Sequence, residues 1–316
     1  MIDIKLLEQL CLCNGISGDE GNVRNLIINE IKDCADDIKT DNLGNLIVFK
    51  KGKKSAKSKL MVSAHMDEVG LMVTDITSDG YLKFDEVGGI DRRVLPGKRV
   101  CIGRNGLNGV IGVKPIHLTN GDEKTAVPKM NDMYIDIGAE SREDALKYVN
   151  YGDGINFEGD FKINGKTVVT KALDDRFGCY VLINLIKSEP EYDMYFTFVV
   201  QEEVGLRGAR PAAFTVNPDF ALVIESTTAA DVAEVDASHQ VCSLSKGATV
   251  TVMDRATVYD KEMISAAFEL AEKNNIAVQY KRAVAGGNDS GAIHQSRGGV
   301  RTLAVSLLSL IHISEP

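Results

Sequence analysis

Apolar runs of strand length that break off at His, Asp or Glu dominate the pattern of this chain. Four segments show it: SAHMDEVG at 63–70, ALDDR at 172–176, QEEVG at 201–205 and VIEST at 223–227. Around them the hydrophobic spacing alternates between helical and extended periods. It predicts a helix near 3–12 and a second helix opened by a Ser17–Glu20 capping box, with Val23, Leu26, Ile27 and Ile31 on one face. Two strands follow, and the second, KLMVSAHMD, is nearly all apolar up to His65 and Asp67. Such a strand belongs inside a sheet covered on both sides.

From about 70 to 162 the texture changes to short, glycine-separated β-prone pieces: LMVTDIT, YLKFDEV, RVCIGRNG, GVIGVKP, MYIDIGA and GINFEGDF. One short helix, SREDALKYV at 141–149, is expected among them, capped by Ser141. Beyond this region the earlier alternation resumes, with helices near 175–187, 208–214 and 259–273 and strands MYFTFVV, FALVIES, IAVQYK and RTLAVSL. The predicted fold is α/β. A mixed sheet with helices on both faces is carried by residues 1–69 and 163–307, and a small β-barrel-like domain at 70–162 interrupts it.

The 316 residues carry a formal net charge of −9, with 44% hydrophobic and 26% charged positions, the make-up of an ordinary globular protein. So acidic a chain is a poor match for a phosphate backbone, and no nucleic-acid partner is expected. Its one basic stretch, KKGKKSAKSK at 50–59, reads as a solvated turn between strands. No run of about 18 apolar residues is present to span a membrane, so no membrane partner is expected either. The six cysteines form no CxxC pair and the opening MIDIKLLEQL is not a signal peptide. The expected location is a reducing cytoplasm.

The acids at the strand ends carry the chemistry. Buried carboxylates are costly unless paired or metal-bound, so their repetition after apolar runs points to a cation centre. Two divalent ions would best absorb the charge. His65 and Asp67 form an H-x-D pair whose side chains, two apart on an extended segment, face one side. The imidazole can bind metal while the carboxylate orients it through its other nitrogen. Asp174 and Asp175 lie between an apolar strand and a helix; either can cap that helix, and Asp174 can bridge metals while Asp175 caps. Glu202 and Glu203 follow MYFTFVVQ and point apart on an extended chain, so one can bind metal while the other serves as general base. Glu225, ending the apolar run of FALVIES, is a further oxygen ligand or a buried acid paired to Lys or Arg. Oxygen donors with one or two imidazoles suit Zn, Co or Mn.

These motifs, in this order and split by a β insertion, resemble the glutamyl aminopeptidase family of dinuclear zinc exopeptidases, which includes the tetrahedral self-compartmentalising aminopeptidases. VKPIHL at 113–118, MYIDIGAES at 133–141, GLRGA at 205–209 and AGGNDSGAIHQSRGGV at 285–300 extend the resemblance over nearly the whole chain. The resemblance implies a metallo-exopeptidase catalytic domain of α/β/α sandwich form. It also implies that His65 and Glu225 hold one metal and Glu203 the other, with Asp174 bridging, Asp67 orienting His65, and Glu202 as the base. Relatives often have Asp in place of Glu225, and in GGNDSG the residues Asn288 and Ser290 replace the Thr and Ala of the family's GGTDA. His117 and His294 read as structural, and His239 has no motif around it.

The end of the chain departs from the family. Where relatives continue with a Pro, an aromatic and then a His that completes the site at Glu203, residues 308–316, LSLIHISEP, look like a non-native tail. His312 falls near the place of that ligand. On this reading the site at Glu203 is weakly occupied and the chain as it stands has little activity. The implied reaction is removal of N-terminal residues from short peptides by a two-metal-activated water. The implied assembly is a homo-oligomer, from dimer to dodecamer, joined through the inserted domain. Two other readings stand beside this one. The first is a glycoside hydrolase, because some relatives carry endoglucanase names, although no Trp and only 6% aromatic residues are present to build sugar platforms. The second is a non-catalytic assembly module, against which the spare acid Glu202 argues.

Overall fold

Helix α1 (Ile4–Leu12) is capped by the Asp3 carboxylate, which accepts the Leu6 amide, and it buries Leu6, Leu7 and Leu10. In α2 (Gly21–Ile31) the predicted spacing buries Val23, Ile27 and Ile31. The Ser17–Glu20 capping box does not form. Ser17 Oγ donates to Asp67, Glu20 Oε1 accepts the Gly18 and Gln201 amides, and the start of α2 has no side-chain cap. The reason is competition: water can satisfy an accessible helix end, whereas buried Asp67 and the bent backbone at Gln201 need partners from the protein. The computed structural model describes residues 3–121, 126–231, 233–236 and 238–309. His312 and most of the suspected tail lie outside the described residues.

Strands β1 (Asp37–Thr40), β2 (Leu46–Lys50) and β3 (Leu60–His65) follow. Then come β4 (Gly70–Ile76), β5 (Leu82–Val87), β6 (Arg99–Ile102), β7 (Leu107–Val113), β8 (Met133–Asp136), the single turn α3 (Arg142–Ala145) and β9 (Gly154–Phe157). Ser141 caps α3 through the Asp144 amide as expected, but the helix is shorter than predicted because the Tyr148 and Val149 amides both close on the Ala145 carbonyl. After a hairpin of β10 (Lys162–Asn164) and β11 (Thr167–Val169) the chain forms α4 (Leu173–Lys187), β12 (Met194–Val199), α5 (Ala209–Val216) and β13 (Phe220–Thr228). It finishes with β14 (Ala248–Val250), α6 (Lys261–Lys273), β15 (Val278–Tyr280), α7 (Ser290–Ile293) and β16 (Arg301–Ser309).

The main sheet is mixed and runs β1-β2-β12-β3-β13-β16-β14-β15. Its middle four strands, β12, β3, β13 and β16, are parallel, so their C-terminal ends share one edge. Helices α1, α2 and α4 cover one face over a core that includes Leu10, Ile27, Val62, Leu182 and Phe196. Helices α5, α6 and α7 cover the other with Met61, Ala213, Val223, Ile264 and Ile293. On β3 alternate residues enter opposite cores, Met61 one and Val62 and Ala64 the other, which is why KLMVSA is apolar almost throughout. Met61 and Val62, both fully buried, each contribute about 1.5–3 kcal/mol of transfer free energy.

Strands β4, β5, β8, β7, β6 and β9 close into a barrel around Leu71, Phe84, Ile102, Ile111, Ile135 and Ile155. It leaves the chain after β3, and α4 re-enters the sandwich beyond it. Glycine is required at the barrel's root, because a Cβ on Gly70 would lie 2.2 Å from Ile16 Cγ2 and 2.8 Å from the Ile155 carbonyl. No helix among the described residues is long and apolar enough to cross a membrane.

Candidate metal centre

Strand register places the first ligands. Val223 of β13 pairs with Ser63 of β3, and two residues further along each strand stand Glu225 and His65. The two-residue step puts both on one side at neighbouring strand positions, on the carboxyl edge where open α/β sheets bind ligands. Helix α4 contributes from the side. Its first acids, Asp174 and Asp175, keep non-helical backbone and are joined by a cis peptide. Asp175 Oδ1 accepts the Gly178 amide at 3.0 Å, the expected cap, while its Oδ2 accepts the His65 amide at 3.3 Å. Asp174 faces the His65 ring instead.

His65 Nε2 lies 3.2 Å from Asp174 Oδ1 and 3.5 Å from Glu225 Oε1. Donor atoms of these three residues all lie within 4.8 Å of one another, a grouping able to hold a cation. The other ring nitrogen, Nδ1, is 3.4 Å from Asp67 Oδ1 and 3.1 Å from the Asp67 carbonyl oxygen. Asp67 therefore braces the far side of the imidazole. The electrostatics fit a cation as well. Glu225 Oε2 is buried without a hydrogen-bond partner. Burial, and then neighbouring Asp174, pushes the Glu225 carboxyl up to about 8. Burial opposes charge on the His65 imidazole, but Glu225, Asp174 and Asp67 outweigh it and lift its pKa well above the usual histidine value. The cluster recruits protons to offset its negative charge, and a divalent ion would supply that charge directly.

Asp67 is fully buried, and its carboxylate accepts Ser17 Oγ at 2.6 Å, the Glu202 amide at 3.0 Å and the Glu203 amide at 3.1 Å. Burial pushes this carboxyl up, but the His65 ring, Ser17 and the Glu202 amide outweigh it and hold it below the ordinary carboxylate value. The QEE segment bends, with Gln201 at a φ of +57°. Burial raises the Glu202 carboxyl well above its ordinary value, with Glu225, Asp289 and Glu203 adding to the shift and His65 opposing it. Glu203 is not one of the three converging residues. Its amide is fixed by Asp67, and it stands beside Gly88 after β5, where an added Cβ would lie 3.3 Å from Glu203 Cβ.

Two residues of this region carried no role in the sequence reading. Arg176 is completely buried and donates to the Met66, Leu10, Cys13 and Gly15 carbonyls. Nothing in ALDDR distinguishes it from a surface arginine at a helix start. Asp289 is also completely buried, and neither carboxylate oxygen has a hydrogen-bond partner; burial pushes it up to about 7. The GGNDSG motif was the available signal. The other histidines among the described residues stay outside the cluster. His117 lies in an exposed single turn, His239 in an exposed turn, and His294 Nδ1 is 2.8 Å from the Ser290 carbonyl oxygen.

A family model described as M42 glutamyl aminopeptidase matches residues 44–314. The chain is 33% identical to the lysyl aminopeptidase of Pyrococcus furiosus, over 97% of this chain and 89% of that protein. The structure of the Pyrococcus horikoshii TET1 peptidase, described as able to assemble into a tetrahedron or a large octahedral shell, is similar with a TM-score of 0.85 and 39% identity, covering 98% of this chain and 93% of that one. An endoglucanase structure from Thermotoga maritima is similar with a TM-score of 0.79 and 38% identity, covering 96% of this chain and 87% of that one. The matched region takes in the barrel and all three converging residues, and on this footing the chain belongs to the M42 glutamyl aminopeptidase family.

Proposed function

We propose that this chain is a metal-dependent aminopeptidase that removes N-terminal residues from short peptides, with two divalent ions, zinc in the first instance and cobalt or manganese in its place, at the carboxyl edge of the sheet. The observation that carries the reading is the convergence of His65, Asp174 and Glu225 within 4.8 Å, with a buried Glu225 oxygen left unpartnered. In this reading His65 and Glu225 would hold one ion and Glu203 the other, with Asp174 available to both. A bound ion pair supplies polarisation of the scissile carbonyl and acidification of a water. Glu202 would serve as the base for that water and return the proton to the departing amine, and burial, which raises its carboxyl well above the ordinary value, makes it a stronger base than an exposed glutamate. Asp67 fixes the His65 ring and the backbone of both glutamates.

The name of the Thermotoga maritima structure raises glycoside hydrolysis as a second reading. Two acids acting on a sugar linkage need the substrate between them, whereas Asp174 and Glu225 both contact the His65 ring. Assembly into a homo-oligomer through the barrel is part of the proposal. The described assemblies of the Pyrococcus horikoshii relative support it, as do the exposed Ile116 and Leu118, 70% and 56% accessible. The proposed location is the cytoplasm, in keeping with free cysteines throughout. A panel of aminoacyl anilides with added zinc or cobalt tests the activity. Anilide release, slow in the chain as it stands, that a chelator abolishes and metal restores is the expected result. Release of reducing sugar from a β-glucan with no dependence on metal, or no anilide release at all, contradicts it.

A further inference from the structure

Ser17 and Glu20 carry the sequence signature of a helix cap, yet neither caps α2. Both are buried, and both turn toward the strand ends. Glu20 Oε1 accepts the Gly18 amide at 2.7 Å, which folds its own loop, and the Gln201 amide at 3.1 Å, 181 positions away. Ser17 Oγ donates to Asp67 Oδ2 at 2.6 Å, and Asp67 takes the next two amides, those of Glu202 and Glu203. Three consecutive backbone donors, 201 to 203, thus end on two buried carboxylates from the N-terminal third of the chain. The first of the three is in the left-handed region, with φ at +57° in a residue that is not glycine. Such a conformation is unfavourable for a residue with a Cβ and persists where surrounding contacts hold it.

That bend decides where two neighbouring glutamates point. On extended backbone their side chains leave in opposite directions; after a left-handed residue, the directions follow from the held amides. Glu20 grips the amide of the bent residue itself. We propose that Glu20, with Ser17 behind Asp67, is a positioning residue for the peptidase reaction: it holds the Gln201 turn and so aims Glu202 and Glu203. The proposal rests on Glu202 acting as base. It also gives work to an N-terminal loop, residues 15–20, that lies ahead of the segment matched by the family model.

Glu20→Leu removes the acceptor at similar size, and Glu20→Gln keeps an acceptor oxygen in place. Hydrogen exchange of the backbone amides at 201–203 is read beside kcat and KM. Leu is expected to speed that exchange about tenfold or more and to lower kcat about 10- to 100-fold with KM within about twofold, while Gln stays close to wild type in both. Wild-type kcat in folded Glu20→Leu, or a Gln variant as impaired as Leu, overturns the proposal. If Glu20→Leu unfolds below the assay temperature, Ser17→Ala takes its place, with an expected loss in kcat of about three- to tenfold; unchanged kcat there overturns it equally. Failure of the base assignment is seen separately, as full turnover in Glu202→Gln with the exchange pattern intact.

Discussion

Glu202→Gln lowers turnover on aminoacyl anilides by about 10²- to 10⁴-fold while leaving bound zinc per chain unchanged. The substitution keeps the volume of the side chain and the backbone anchor, because the amide held by Asp67 Oδ1 belongs to the main chain. What it removes is the ability to take a proton. Burial lifts the Glu202 carboxyl well above its ordinary value and so makes it a stronger base than an exposed glutamate. Metal analysis and kinetics on the same sample separate the alternatives. Retained zinc with lost turnover assigns Glu202 to proton transfer. Lost zinc makes it a ligand, and unchanged turnover removes it from the mechanism.

Arg176→Leu destabilises the fold by about 3–5 kcal/mol, the cost of stripping one partner from a buried ionic network. The guanidinium donates through Nε to the Met66 carbonyl at 2.8 Å, and through one terminal nitrogen to Leu10 and Cys13 at 2.6 and 2.7 Å. Its other terminal nitrogen reaches the Gly15 carbonyl at 3.3 Å and Glu68 Oε1 at 3.4 Å. Leucine fills part of the volume but leaves these carbonyls with one donor fewer, and leaves buried Glu68 to Lys171 alone among the described cations, at 2.9 Å. The end of α1, the loop before Ser17 and the turn after His65 all lose their common tie. Urea unfolding reads the effect as a shift in midpoint at constant slope. A loss below about 1 kcal/mol would show that the carbonyls find other donors and that the arginine is not the tie.

The strand pattern made the sandwich legible because apolar runs between helical periods leave few other arrangements. The run at KLMVSAH is buried on both faces, and the parallel register explains why His65 at the end of β3 and Glu225 of β13 meet. Asp175 was legible as a cap and Asp174 as the acid that turns to the His65 ring, since one step along the chain separates a backbone acceptor from a side chain facing the ring. Legibility failed where a partner is far away in sequence. Ser17 and Glu20 sit at ideal capping spacing, and only the fold shows that Asp67 and Gln201 compete for them and win. Arg176 and Asp289 failed for the same reason, as burial is a property of the assembled layers and not of their neighbours in the chain. Asp260, which caps α6 through the Met263 amide and pairs with Arg301, was likewise hidden behind a helix start placed at 259.

Membership of the M42 family fixes the class of reaction, while the identity of the acting residues rests on where a cation settles. Zinc-loaded crystals measured at the zinc absorption edge give that position without reference to activity. A strong anomalous peak bounded by His65 Nε2 and the Asp174 and Glu225 carboxylates is the expected result. No peak at those three residues, or zinc found only elsewhere on the chain, would contradict it.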